Sequence, residues 1–434
     1  MQDRTLIGIT DWRNEKQPFS IKDADRLAHI YAIGKTGVGK STLLLNMAIS
    51  DIEKGKGLCI IDPHGDIAET ILQYVPESRL EDVIYFNPRD IDRPIAFNPL
   101  KAVHPNFHHL VASGLISTFK KIWADSWGPR LEYILRFTLL TLLEYPYATL
   151  LDIQPLLTDM YFRNKVLRYV TNHHTLSFWK NEFDKYSPGL RSEAITPILN
   201  KTGVFLTSRP LRNIVGQRTT GFKMQQVLDQ GKILIVNLSK GEIGEDASSL
   251  LGSILVTSIQ LSALYRSIQP ESKRRPFYLY VDEMHSFISL SFIDVLAEAR
   301  KYKLSIFLTH QYLDQIHEKI RSAIFGNIGT LISFRVGATD AEHLTKEFYP
   351  VFNEQDLINL PRYSMYLKLM IDGASSTPFS AITVPPKPIT VSYKGKVIEL
   401  SRNKYGSKRY MVEKNIFDRY RQQSMEKKEK GLFD

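Results

Sequence analysis

Residues 34–41 read Gly34-Lys35-Thr36-Gly37-Val38-Gly39-Lys40-Ser41, and no other feature constrains the fold as tightly. The pattern G-x-x-x-x-G-K-[ST] belongs to a strand–loop–helix unit with a mechanical reason at each fixed position. Its glycines let successive backbone N–H groups turn inward around a diphosphate. Lys40 brings a mobile positive charge to the β- and γ-phosphates, and Ser41 offers a hydroxyl to Mg2+. The helix that follows, starting through Thr42, points its N-terminal dipole at the same anion. With glycine near 7% of residues, a chance match is expected about once or twice in a hundred chains of this length. The flanks argue against chance. His29-Ile30-Tyr31-Ala32-Ile33 reads as a buried strand, and Leu43, Leu44, Met47 and Ile49 recur at helical spacing.

A phosphate loop implies a nucleotide; hydrolysis also needs an acidic group at the end of a neighbouring apolar strand. Phe277-Tyr278-Leu279-Tyr280-Val281 ends in Asp282-Glu283. Asp282 in that position can order the Mg2+ water shell, and Glu283 can orient or polarise the attacking water. The pair favours ATP hydrolysis linked to movement. GTPases read their base with Asn-Lys-x-Asp, and the two Asn-Lys pairs here continue as Asn164-Lys165-Val166 and Asn200-Lys201-Thr202. A second apolar strand, Leu304 to Thr309, is capped by His310-Gln311, which places Gln311 at the end that faces the ligand crevice of an open α/β sheet. Gln311 could contact the γ-phosphate or the water; a plain strand-terminal turn explains it too. Arg300, in Glu298-Ala299-Arg300-Lys301, is either a cation complementing a helix C-terminus or an arginine finger for a neighbouring subunit's ATP.

The organisation follows from where strand signals come and go. Residues 1–100 carry the first α/β block, with strands at His29–Ile33, Leu58–Ile61 and Val83–Phe86, preceded by a lead-in strand or lid near the nucleotide. From 101 to 218 strand signals vanish and leucine and aromatic residues recur at i, i+3, i+4, as in Leu131, Ile134, Leu135, Thr138, Leu139 and Leu142. That stretch reads as an inserted all-helical domain, with Trp123, Trp127 and Trp179 as core. From 219 to 384 strands and helices alternate again, which implies a mainly parallel sheet covered on both faces. A basic extension runs from 385 to 434: residues from Lys394 onward hold twelve Lys/Arg against six Asp/Glu, more than half of the chain's net charge of +10. Its Arg402, Lys404, Lys408, Arg409, Arg419 and Arg421 interleave with Tyr405, Tyr410 and Tyr420. Such a pattern can hold nucleic acid or form a solvated helix packed on its neighbour. One cysteine, Cys59, rules out an internal disulfide and suits a reducing, cytoplasmic compartment. The N-terminus is polar, without the pattern of a signal peptide. The apolar stretch Leu131–Leu143 carries Glu132 and Arg136 and is too short to span a bilayer, so no transmembrane segment is expected.

These residues together resemble the conjugative coupling proteins of type IV secretion (TraG/TraD type), within the FtsK–HerA class of ring-forming DNA-pumping ATPases. The resemblance covers roughly residues 20 to 384. It rests on Gly34 to Thr42, Asp62-Pro63-His64-Gly65-Asp66, Phe97-Asn98-Pro99-Leu100 entering the helical insert, Asn237-Leu238-Ser239-Lys240-Gly241, Asp282-Glu283, and Gln311 after an Arg-Lys pair. It implies a RecA-like P-loop NTPase core with an inserted all-α domain, ATP and Mg2+ as ligands, and a ring, hexameric by analogy, that translocates DNA through non-specific backbone contacts. Lys40 and Ser41 would bind ATP and Mg2+, Asp282 and Glu283 would serve hydrolysis, and Gln311 would couple nucleotide state to motion. Arg300 stands eleven residues before Gln311, a spacing similar to the family's finger, and Arg335, in Phe334-Arg335-Val336-Gly337, is its rival. Nucleoprotein cargo and membrane-bound secretion partners are implied, with the protein recruited from the cytoplasm to the inner membrane. Two other functions fit the same residues: an ATPase powering secretion-apparatus assembly or protein export, and an ATP-gated recruitment module with little turnover.

Overall fold

The apolar runs that flank the phosphate loop pair with one another because each is buried on both faces. In the computed structural model, which describes residues 3–11, 15–101 and 103–430, the strands are β1 (Arg4–Thr10), β2 (Pro18–Lys22), β3 (Ile30–Ile33), β4 (Gly57–Asp62), β5 (Val83–Phe86), β6 (Ile233–Asn237), β7 (Phe277–Val281), β8 (Leu304–His310), β9 (Thr330–Ser333), β10 (Ser364–Lys368), β11 (Met370–Ile371), β12 (Ala374–Ser375) and β13 (Phe379–Ile382). Among the described residues, all but β11 and β12 share one eleven-stranded sheet in the order β2-β1-β13-β10-β9-β3-β8-β7-β4-β6-β5. Pairing is parallel from β5 across to β9 and antiparallel from β9 out to β2. Every residue of β3, β4, β6, β7 and β8 is buried, as a sheet covered on both faces requires. The helix Lys40–Glu53 lays Leu43, Leu44, Met47, Ala48 and Ile52 into the same core as Ile60, Tyr280 and Phe307. Cys59 lies buried in β4.

The chain divides into two compact units. The first comprises residues 1–86, 224–241 and 262–401 and holds the whole sheet; the second comprises 87–223, 242–261 and 402–434 and is helical. The helical unit therefore begins before residue 101 and recruits two further stretches, so the insert expected over 101–218 is only its largest piece. The extension expected over 385–434 is split: its first part belongs with the sheet and the rest with the helices, residues 431–434 lying outside the described ones.

Within the helical unit the aromatics build the core. Trp179 is fully buried and donates from its indole N–H to Thr141 Oγ1 at 2.7 Å. The buried Arg163 guanidinium lies against the Trp179 and Phe183 rings and pairs with Asp184 at 2.8 Å. The helix Arg409–Lys430 packs on this unit through ion pairs of Arg409 with Asp92 (3.0 Å) and Arg419 with Asp152. Arg402 pairs with Asp90 at 2.6 Å. Much of the tail's positive charge is thus matched within its own unit.

Of the lead-in strand or lid expected near the nucleotide, the strand alternative is present: β1 and β2 pair antiparallel at the sheet edge, separated from β3 by three strands. Among the described residues one helix, Glu245–Ile268, is long and apolar enough to cross a membrane, and most of it is buried; it lies outside Leu131–Leu143, the apolar stretch singled out from the sequence.

Candidate active site

Seven parallel strands deliver their C-terminal ends to one edge of the sheet, and the phosphate loop leaves β3 there. The loop is rooted on both sides: Gly34 N–H donates to His310 O at the end of β8 at 3.2 Å, and Lys35 N–H donates to Arg335 O after β9 at 2.9 Å. Gly37 and Gly39 adopt positive φ (74° and 125°), the left-handed backbone that turns the N–H groups inward and that an L side chain resists. A Cβ on Gly39 would also press on Phe334, Tyr363 and Thr383 at 3.1–3.3 Å. Lys40 opens the helix, is 5% exposed, and donates to its own loop carbonyls, Gly34 O at 2.6 Å and Lys35 O at 3.0 Å. Burial pulls its ammonium below the usual lysine range, while the carboxylates of Glu283 and Asp282 act to restore it. Ser41 is exposed, its hydroxyl open to a ligand.

Register brings the carboxylates to this lysine. β4, β7 and β8 are aligned with Ile61 opposite Val281 and Val281 opposite Leu308, so Asp282 and Thr309 meet one step further on. Thr309 Oγ1 donates to Asp282 Oδ1 and accepts the Glu283 N–H at 3.1 Å. Glu283 occupies left-handed backbone (φ 47°), an uncommon state for a non-glycine residue and one found at functional sites. Its Oε1 accepts from Gln311 Nε2 at 2.8 Å, and His285 Nδ1 lies 3.5 Å from its Oε2. Burial drives the Asp282 carboxyl up to about 7; the Thr309 hydrogen bond opposes this, Asp62 and Glu283 add to it, and Lys40 opposes it. His310 is driven the other way, to about 3, by burial and then by His285 and Lys40, so its imidazole is neutral beside Tyr31. The cleft combines a cation, two carboxylates and an amide around an N–H-lined loop. That set suits a nucleoside triphosphate with a divalent cation: a buried carboxyl held at about 7 gains most from a neighbouring dication.

A family model for the type IV secretion-system coupling protein DNA-binding domain matches residues 16–348. The chain belongs to this family. No curated protein matches the sequence. Among solved structures, the unbound bacterial conjugative coupling protein TrwBdeltaN70 is similar with TM-score 0.63 and 18% identity, covering 86% of this chain and 90% of that one. The plasmid coupling protein TrwB in complex with ADP and Mg2+ gives TM-score 0.60 and 17% identity, over 87% and 91%. VirB4 of Thermoanaerobacter pseudethanolicus gives TM-score 0.60 and 14% identity, over 89% and 97%. These likenesses establish the RecA-like fold expected from the sequence.

In this coupling-protein domain the two candidate fingers occupy different places. Arg335 follows β9 directly beside its own phosphate loop. Arg300 lies in the turn Ala299–Tyr302 ahead of β8, at the strands' N-terminal ends, roughly 20 Å of strand away from Gln311. It sits near His29, where burial and then the Arg300 charge push the imidazole down to about 4. Asp62 spends its carboxylate on the chain: Oδ1 accepts His64 N–H at 2.8 Å and Oδ2 accepts Ala68 N–H at 2.9 Å. Asn237 likewise accepts Ser239 N–H at 3.2 Å, and Ser239 donates to His64 O at 2.8 Å. Those two motifs shape the loops after β4 and β6. Sequence reasoning did not single out Thr309 as the bridge between Asp282 and Glu283. Aligning the two apolar strands end to end would have revealed it.

Proposed function

We propose that this protein is an ATP-hydrolysing ring motor that moves DNA in type IV secretion. The carrying observation is the convergence of Lys40, Asp282, Glu283 and Gln311 at one end of the sheet, in a chain of the coupling-protein DNA-binding family. The phosphate loop from Gly34 to Thr42 binds the triphosphate, and Lys40 exchanges its loop carbonyls for β- and γ-phosphate oxygens. Ser41 and Asp282 would hold Mg2+, which would supply charge neutralisation to the phosphates; the similar TrwB structure is a complex with ADP and Mg2+. Glu283, steadied by Gln311 and by its own backbone, orients and polarises the water. Gln311 joins that carboxylate to the end of β8, a route by which nucleotide state can reach the strand. Arg335, or Arg300 from a neighbouring subunit in a hexameric ring, stabilises charge in transfer. DNA is held through its phosphates without sequence preference, so weak basic contacts from several subunits add up. Cargo and membrane partners supply the secretion context.

The test combines two variants and one ligand. Lys40→Ala and Glu283→Gln should each cut ATP turnover by about a hundredfold or more, with Glu283→Gln still binding nucleotide. Single- or double-stranded DNA at low salt should raise wild-type turnover. Turnover that persists in both variants removes the enzymatic reading. Turnover indifferent to DNA would instead favour an ATPase that powers secretion-apparatus assembly or protein export.

A further inference from the structure

The turn that enters β10 lies against the outer side of the phosphate loop. Arg362 Nε donates to Gly37 O at 3.1 Å, and Tyr363 N–H donates to Val38 O at 2.8 Å. Tyr363 takes left-handed backbone (φ 68°). Thr383 holds that conformation from the other side, its N–H donating to Tyr363 O at 2.8 Å. Despite this pinning the Tyr363 side chain faces outward: the residue is 43% exposed, and the Arg362 guanidinium stands 5.5 Å from its ring centroid. Backbone strain maintained to present an aromatic ring at the rim of a site is a pattern of function, not of core packing.

The sheet order says which part of a nucleotide would arrive there. The hydrolytic groups sit after β7 and β8, on one side of β3; β9 and β10 lie on the other. The γ-phosphate must face Asp282, Glu283 and Gln311. The α-phosphate, ribose and base then trail across the loop toward β9 and β10, where Arg362 and Tyr363 project. We infer that Tyr363 is the stacking platform for the purine base, with Arg362 fixing the loop tip and offering its remaining N–H groups to the α-phosphate or ribose. A planar ring grips any purine by its face, so the site takes purine nucleotides as a class and grips smaller pyrimidines less. This assignment rests on the nucleotide reading of the phosphate loop given above.

Isothermal titration with two ligands separates the two ideas: a non-hydrolysable ATP analogue with Mg2+, and inorganic tripolyphosphate with Mg2+, which has no base. Tyr363→Ala should weaken the analogue by about tenfold to a hundredfold and leave tripolyphosphate within twofold. Tyr363→Phe should retain wild-type affinity for both, and Tyr363→Asn, which tolerates the left-handed backbone, should behave as Tyr363→Ala. Lys40→Ala should weaken both ligands. If Tyr363→Ala and Tyr363→Asn bind the analogue as wild type does, the platform is refuted while the phosphate loop stands. If wild type binds neither ligand, the nucleotide reading itself fails.

Discussion

Strand β7 carries two buried charge clusters a few residues apart, and they are built to opposite plans. At its middle, Tyr278 and Tyr280 flank the fully buried Arg26. That guanidinium is bidentate to Asp51 (2.7 and 2.8 Å) and also donates to Thr5 Oγ1 (2.8 Å) and Tyr280 OH (2.7 Å). Tyr280 OH in turn donates to Asp51 Oδ2 at 2.5 Å. Burial alone would raise the Asp51 carboxyl, but Arg26 and Lys56 hold it below the usual range. At the end of the strand, Asp282 and Glu283 share one lysine, and Asp282 is forced up to about 7. The first cluster is closed and balanced; it locks the helix Lys40–Glu53 to the strand that bears the carboxylates. The second is open and carries excess negative charge, which a dication and its phosphates would balance. A buried charge by itself signals neither structure nor function. The balance of its partners does.

The largest expected effect lies in the closed cluster. Asp51→Ala leaves a guanidinium buried without its counter-ion and should cost about 3–5 kcal/mol of stability, read by urea denaturation. If it costs under 1 kcal/mol, the cluster is not the lock described. The open cluster should answer with the opposite sign. The Asp282 carboxyl is raised in the folded state, so its ionised form costs stability as pH rises from about 4 through about 7. Asp282→Asn should therefore stabilise the ligand-free protein by up to about 4 kcal/mol at pH 8, and this gain should vanish near pH 4. The same variant should lose ATP turnover. A loss of stability at pH 8 would place Asp282 with Asp51, among structural groups.

The two clusters also differ in how far they can be read from sequence. The phosphate loop is contiguous and the Asp282-Glu283 pair follows a strand whose observed limits, Phe277–Val281, match the apolar run, so the open site was visible as local pattern. The closed cluster joins Thr5, Arg26, Asp51 and Tyr280 from four elements, and no local spacing announces it. The helical unit follows the same logic. Its central helices showed as periodicity, but its stretches 87–100, 242–261 and 402–434 belong to it through contacts such as Arg409 with Asp92. β13 escaped notice because Phe379–Ile382 is short and follows Pro378. It is a strand because β1 and β10 flank it. Arg362 and Tyr363 were invisible for the same reason, since their meaning depends on lying against Gly37 and Val38.

The smallest effects sharpen the contrast because the same change can be made in both clusters. Thr5→Val and Thr309→Val each replace a buried hydroxyl by a methyl of similar size. Thr5 contributes one bond to an Arg26 Nη1 that keeps Asp51 as partner. Its loss should cost about 1 kcal/mol and leave ATP turnover within twofold. Thr309 joins the Asp282 carboxylate to the Glu283 backbone through one hydroxyl. Without it the carboxylate loses the hydrogen bond that restrains its rise, and the left-handed Glu283 loses an anchor. Turnover should fall by about tenfold, and the acid limb of its pH profile should move to higher pH. If both variants keep full turnover and an unshifted profile, Thr309 is a packing residue like Thr5. The difference between the two clusters would then reside in the carboxylates alone.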